Sequence, residues 1–201
     1  MDQAHLYNGS LTAEQFLFYE IRIAAKYYID GKTIGEAIEI IKKDNLFQYP
    51  TERQVSRLAR ACYKRLDALG HKQLVHELAF APSEIAKQIN LYAIMKYNRL
   101  VWEFMIQVIG EKYRNQDFNF SRKDMNAFFA QLQAQNDSIF AWSEKTANKI
   151  KSVLVRMLIE TKYVDGIRST TLNPVLLCEE LEEGIRANND NEALPAFNCF
   201  R

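Results

Sequence analysis

The stretch Thr51–Leu69, TERQVSRLARACYKRLDAL, constrains the fold more than any other part of the chain. Val55, Leu58, Ala59, Cys62, Leu66 and Leu69 form an apolar stripe at i, i+3, i+4, i+7 spacing, the period a helix shows when it buries one side. Arg53, Arg57, Arg60 and Lys64 form a second stripe with no acid among them. Thr51 stands at the N-cap position with Gln54 three residues on, and Gly70 follows as a stop. Such a helix packs on one side and presents a row of cations on the other.

The same pattern returns at Ser143–Glu160, SEKTANKIKSVLVRMLIE. Ser143 takes the place of Thr51, and Lys145, Lys149 and Arg156 take those of Arg53, Arg57 and Lys64. Ile150, Leu154 and Leu158 stand where Leu58, Cys62 and Leu66 do. Arg60 has no counterpart, since Ser152 occupies its slot, but Lys151 adds a cation nearby. The approach also repeats: Leu46-Phe47-Gln48-Tyr49-Pro50 leads into one copy and Ile139-Phe140-Ala141-Trp142 into the other. The spacing, the cap and the lead-in together indicate a diverged internal duplication.

Around these two segments the chain reads as helix almost throughout. Ser10 or Thr12 is expected to cap a helix running to about Tyr28, after a loose stretch over residues 1–9. Thr33-Ile34-Gly35-Glu36 is a capping box opening a short helix to about Lys43, with Ile34, Ala37, Ile38 and Ile41 as its buried face. Residues 33–69 therefore read as helix, turn, helix, with the second helix as the reader. A short helix to about Phe80 follows, then a long helical stretch from Ser83 to about Arg114. Its spine is Ile85, Ile89, Tyr92, Leu100, Phe104 and Val108, with a break near Tyr97-Asn98 where the period slips. Ser121-Arg122-Lys123-Asp124 is another capping box; the helix it opens carries Met125, Phe128, Phe129 and Leu132, so 121–160 forms a second helix-turn-helix.

Beyond Tyr163 the texture changes. Val164-Asp165-Gly166 signals a turn. Residues 164–177 suit a small wing-like hairpin or an extended segment, which Pro174 would keep at an edge. One more helix, very acidic, is expected over Leu176–Arg186, and a flexible end from Asn188, although Leu194, Phe197 and Phe200 could dock. The expected fold is thus all-α: two helix-turn-helix units around a central helical spine. The corresponding divisions are an N-terminal lobe over 1–80, the spine over 81–115 and a C-terminal lobe over 116–201 with an acidic tail.

Composition enters through its unevenness. The net charge of +1 gives no globally basic signature, yet Lys42–Lys72 holds eight bases against three acids. From Glu179 to the end there are six acids against two bases. The three cysteines, Cys62, Cys178 and Cys199, lack paired spacing, which argues against a disulfide framework and against zinc. The N-terminus has no signal-peptide pattern, and the most apolar run, Leu100–Ile109, is short and carries Glu103. The expectation is a cytoplasmic protein without a membrane span.

Catalytic, metal and cofactor sites are not expected. His5 falls in the N-terminal stretch, and His71 and His76 flank a short helix with no metal-ligand spacing. The seven glycines include no phosphate-binding loop. The pairs Glu179-Glu180 and Glu182-Glu183 read as a solvated acidic face, Trp102 and Trp142 as core or turn anchors, and Cys62 as an inert core residue.

The chain resembles the BrxA family of bacteriophage-exclusion (BREX) systems over about Tyr7–Glu183. The resemblance is carried by Tyr7-Asn8-Gly9-Ser10-Leu11, Val55-Ser56-Arg57-Leu58-Ala59-Arg60, Ala141-Trp142-Ser143-Glu144-Lys145-Thr146 and Arg168-Ser169-Thr170-Thr171-Leu172-Asn173-Pro174-Val175, in that order. It implies a small non-catalytic component of an antiviral locus whose other BREX components do the chemistry. The basic helices suit double-stranded DNA: cations along a helix face displace counterions from phosphates, and planar or amide side chains near its N-terminus reach base edges. The candidate DNA-binding residues are Arg53, Gln54, Arg57, Arg60 and Lys64 on the first helix. On the second they are Lys145, Thr146, Asn148, Lys149, Lys151 and Arg156. Because both helices lie in one chain, a monomer can offer two readers. A protein–protein adaptor whose basic faces dock an acidic partner, or an RNA-binding helical protein, would use the same residues.

Overall fold

The computed structural model describes Tyr7 and residues 9–200, with the side chains of Ser138 and Phe140 outside that description. The expectations placed on His5, on the rest of residues 1–6 and 8, on Arg201 and on the Phe140 side chain therefore lie outside the described residues. The fold is all-α, in two compact units. The first unit is Phe16–Tyr97; the second combines the chain up to Gln15 with Asn98 onward. The stretch read as one spine over 81–115 is divided between them at Tyr97-Asn98, where the helical period slips.

The first unit contains α1 (Phe18–Ile29), α2 (Ile34–Lys43), α3 (Glu52–Leu69), α4 (Lys72–Phe80) and α5 (Ser83–Tyr97). Helix α3 is its hub, packed by α1, α2 and α5. Its buried face is the expected stripe, Val55, Leu58, Ala59, Cys62, Leu66 and Leu69. The Thr51 hydroxyl accepts the Gln54 N–H at 3.3 Å, and Gly70 leaves the helix at φ 66°, a left-handed conformation favoured for a residue without Cβ. The capping box of α2 is present on both sides: Thr33 N–H donates to the Glu36 carboxylate at 2.8 Å and the Glu36 N–H to Thr33 Oγ at 3.3 Å. Ala37, Ile38 and Ile41 are buried, whereas Ile34 lies exposed in the first turn.

The expected first helix is broken. Residues Gly9–Thr12 form a short 3-10 helix, and α1 begins only at Phe18, after Leu17 at φ 50°. Two buried polar side chains hold this break: the Phe16 carbonyl accepts from Asn90 Nδ2 at 2.8 Å and from Arg65 Nη1 at 3.3 Å. Arg65 is only 1 % exposed. It belongs to the core, so it does not add to the surface charge of the basic region. Arg22 of α1 closes the far end of α4, donating to the carbonyls of Ala79 and Ala81.

Tyrosines couple this unit to pH. The Tyr49 hydroxyl donates to Glu20 at 2.7 Å, and burial together with that carboxylate pushes Tyr49 up to about 12. Burial and the nearby Glu36 charge do the same to Tyr63, also to about 12. Both lie above the ordinary value of 10.0, so the neutral tyrosines stabilise the fold fully below pH 10 and that contribution is lost as pH rises towards 12. The melting temperature should fall over this alkaline window, and Tyr49→Phe should make the fall shallower. An unchanged pH profile in Tyr49→Phe would contradict the coupling.

The second unit contains the 3-10 turn Gly9–Thr12, α6 (Arg99–Phe104), a π-helical stretch (Met105–Gly110) and α7 (Glu111–Arg114). Then come α8 (Arg122–Gln135), α9 (Asp137–Phe140), α10 (Glu144–Glu160), α11 (Glu179–Ala187) and a 3-10 helix at Asn191–Phe197. Asn98 caps α6, its side chain accepting the N–H groups of Leu100 at 3.1 Å and Val101 at 3.3 Å. The π stretch coincides with a close backbone approach. A Cβ on Gly110 would stand 3.2 Å from the Ala196 nitrogen, so the glycine admits the C-terminal 3-10 helix.

The end of the chain departs from the flexible tail expected. Leu194 and Phe197 are buried and the Tyr163 hydroxyl donates to the Ala196 carbonyl at 2.9 Å, while Phe200 stays exposed. Apolar residues among the polar ones supply the docking area that the acidic composition hid. Residues 164–168 form bends and a turn, with Ser169 N–H donating to Gly166 O at 3.0 Å, and 169–177 continue as irregular chain without a hairpin. A single antiparallel bridge joins Thr171 to Asn119, with Leu172 N–H donating to Phe118 O at 2.7 Å. Asn173 braces the segment, its amide donating to Lys162 O at 3.1 Å and to Asp165 Oδ1 at 2.9 Å.

Candidate nucleic-acid interface

On α3 the apolar stripe decides which side faces solvent. With Leu58, Cys62 and Leu66 at the core, helical geometry turns Arg53, Arg57, Arg60 and Lys64 outward, and all four are exposed. Gln54 is half-buried. Among the described residues no ion pair engages the four cations. The nearby acids are turned elsewhere: Glu52 lies 3.8 Å from Lys42, and Asp67 accepts the Tyr28 hydroxyl at 2.9 Å.

The second basic helix, α10, is built by the same logic. Ala147, Ile150, Val153, Leu154, Met157 and Leu158 are buried, and the Ser143 hydroxyl accepts the Thr146 N–H at 3.2 Å. Lys145, Asn148, Lys149 and Arg156 are exposed. Lys151 is not on the open face. Its ammonium donates to Asn126 Oδ1 of α8 at 2.8 Å and sits 5.1 Å from the Phe129 ring centre. Thr146 is half-buried, its hydroxyl 2.9 Å from that of Ser143 and its methyl facing Gly9 of the 3-10 turn. The Gly9-Ser10-Leu11 motif thus braces the second basic helix, with Leu11 buried. Tyr7 is fixed nearby in sequence by a hydrogen bond to Glu103 at 2.5 Å and by the Arg99 guanidinium over its ring.

The two helix pairs differ in packing. Helix α2 lies closely along α3, whereas α8 meets α9 closely and reaches α10 through side chains such as Lys151. The duplicated pattern therefore covers caps, apolar slots and cations more faithfully than helix contacts. Two exposed cations absent from the sequence-derived set flank α10: Arg122 at the start of α8 and Arg168 in the 164–170 loop. They come from segments with no shared helical period, so no sequence spacing pointed to them.

Cys62 is buried, and burial pushes Cys178 up to about 11. The His76 ring lies tilted against that of Phe80, with ring centres 4.9 Å apart. Among the described residues no group of three or more His, Cys, Asp and Glu is placed to hold a metal ion, and no helix is long and apolar enough to cross a membrane.

These features define an all-α protein with an exposed basic helix face on each of two units. The sequence profile of the BrxA family matches residues 5–189. The chain is 30% identical over 191 residues to a protein named BREX protein BrxA from Bacillus cereus (strain H3081.97), spanning 94% of this chain and 95% of that one. It is 24% identical over 173 residues to another of that name from Paramagnetospirillum magneticum, spanning 85% of each. The chain belongs to the BrxA family. A crystal structure of an uncharacterized protein from Magnetospirillum magneticum shares the fold, with a TM-score of 0.80 at 21% identity over 95% of this chain and 97% of that one.

Proposed function

We propose that this protein is a double-stranded DNA-binding component of BREX phage defence, acting by binding rather than by catalysis, as a cytoplasmic monomer alongside other BREX components. The BREX setting rests on the names of its relatives. The observation that carries the DNA reading is the exposed, acid-free row Arg53, Arg57, Arg60 and Lys64, matched on α10 by Lys145, Lys149 and Arg156. Each helix follows a connection and a capped partner helix, the order in which helix-turn-helix proteins present a reader to the major groove. Gln54 and Asn148 stand near the helix starts, where amide groups can reach base edges.

Phosphate contacts leave a signature in salt dependence. Log affinity for a duplex should fall linearly with log salt, each contact contributing a slope of about −0.9. Fluorescence anisotropy with a labelled duplex across a salt series checks this. A weak, salt-independent affinity would overturn the DNA reading.

A further inference from the structure

Between α8, α10 and the 164–170 loop, wholly within the second unit, lies an open groove of about 760 Å³. Its walls bring together Arg122, Arg156 and Arg168 from three different elements, with Lys151 on the α8 side, and among the described residues no carboxylate lines it. The three arginines are exposed. The floor is apolar, formed in part by Phe120, Met125 and Val164. The loop carrying Arg168 is a braced turn: Phe120 N–H donates to Thr170 O at 2.9 Å, and Gly166 N–H to Ser169 Oγ at 2.9 Å.

Cations converging from separate elements differ from a solvated helix face. A single helix gains an exposed cationic row as a by-product of burying its other side. Three arginines lining one concavity, with no carboxylate of the described residues among its lining, offer an anion several donors at once. Guanidinium forks match phosphate oxygens two at a time. The volume falls within the range of small-ligand sites, and the apolar floor suits a flat or hydrophobic moiety attached to the phosphate.

We propose that this groove binds a nucleoside phosphate, its phosphate oxygens held by Arg122, Arg156 and Arg168 and its sugar and base lying over Phe120, Met125 and Val164. The nucleotide can be free in solution or a unit of a nucleic-acid strand; the phosphate chemistry is the same. The site shares Arg156 with the α10 row, but Arg122 and Arg168 belong to neither row.

The test is isothermal titration calorimetry of the full chain with adenosine diphosphate and with single-stranded octathymidylate. The expected result is saturable binding of at least one probe in the millimolar range or tighter. Arg122→Ala and Arg168→Ala should each weaken it about tenfold, the loss of a charge-assisted hydrogen bond. Arg168→Lys should restore part of the affinity, since the charge returns without the fork. Binding of the diphosphate identifies a free nucleotide as the ligand, and binding of the oligomer alone identifies a strand. These exposed positions should leave the melting temperature unchanged, which separates lost binding from lost folding. Failure of both probes to bind wild type, or equal affinity in the Arg122→Ala/Arg168→Ala double variant, overturns the proposal. Neither result bears on the duplex salt slope, so the two readings fail independently.

Discussion

Leu58→Asp and Ile150→Asp are each expected to abolish the fold of the unit that carries them. Leu58 is 2 % exposed on the core side of α3, and Ile150 is 0 % exposed on α10. Removing the aliphatic side chain alone costs about 2–5 kcal/mol in transfer and cavity terms. The aspartate must then be protonated or drag water into the core, which costs several kcal/mol more. Domains of this size are stable by roughly 5–15 kcal/mol, so the two losses together consume most of the margin. Helical circular dichroism and the thermal transition check this. A native-like melting temperature in either variant would mean that the apolar stripes do not form the core.

Those stripes explain why α3 and α10 were legible in the sequence. Once Val55, Leu58, Cys62 and Leu66 define the inward side, the cations at i+3 and i+4 spacing can only point outward. Caps helped in the same way: Thr33, Thr51, Ser121 and Ser143 each satisfy N–H groups that the helix start leaves without partners.

What escaped the sequence depends on contacts between distant residues. The break before α1 is held by Asn90 and Arg65 on the Phe16 carbonyl, and nothing between Ser10 and Tyr28 announces it. Arg65 looked like one more surface base because charge alone does not reveal burial. Its place on α3, seven residues after Leu58 and three after Cys62, puts it on the buried side and was the available clue. The C-terminal 3-10 helix was hidden by its polar neighbours, although Leu194 and Phe197 had marked it as able to dock. Arg122 and Arg168 could not be grouped before the fold was known, since only packing brings their segments beside α10.

Charge reversal at Arg57 and Lys149 addresses the central claim. One side chain lies on each basic helix, both are exposed, and neither belongs to the buried stripe of its helix. The double variant Arg57→Glu/Lys149→Glu should therefore keep its fold and melting temperature. Each reversal removes a phosphate contact and places a carboxylate where the phosphate would sit, so it should weaken binding more than the corresponding alanine. Two lost charge-assisted contacts amount to about a hundredfold or more in affinity. The alanine variants should weaken binding similarly on all sequences and reduce the salt slope by about one per contact. A side chain reading bases, as proposed for Gln54 and Asn148, would instead lose about 1–3 kcal/mol on a preferred site only.

The decisive measurement is the affinity of wild type and of Arg57→Glu/Lys149→Glu for one labelled duplex at one fixed, low salt concentration. The predicted result is tight binding by the wild type and a loss of about a hundredfold or more in the folded double variant. Equal affinity of the two proteins under those conditions would contradict duplex DNA binding through these helices and leave docking on an acidic protein partner as the use of the basic faces.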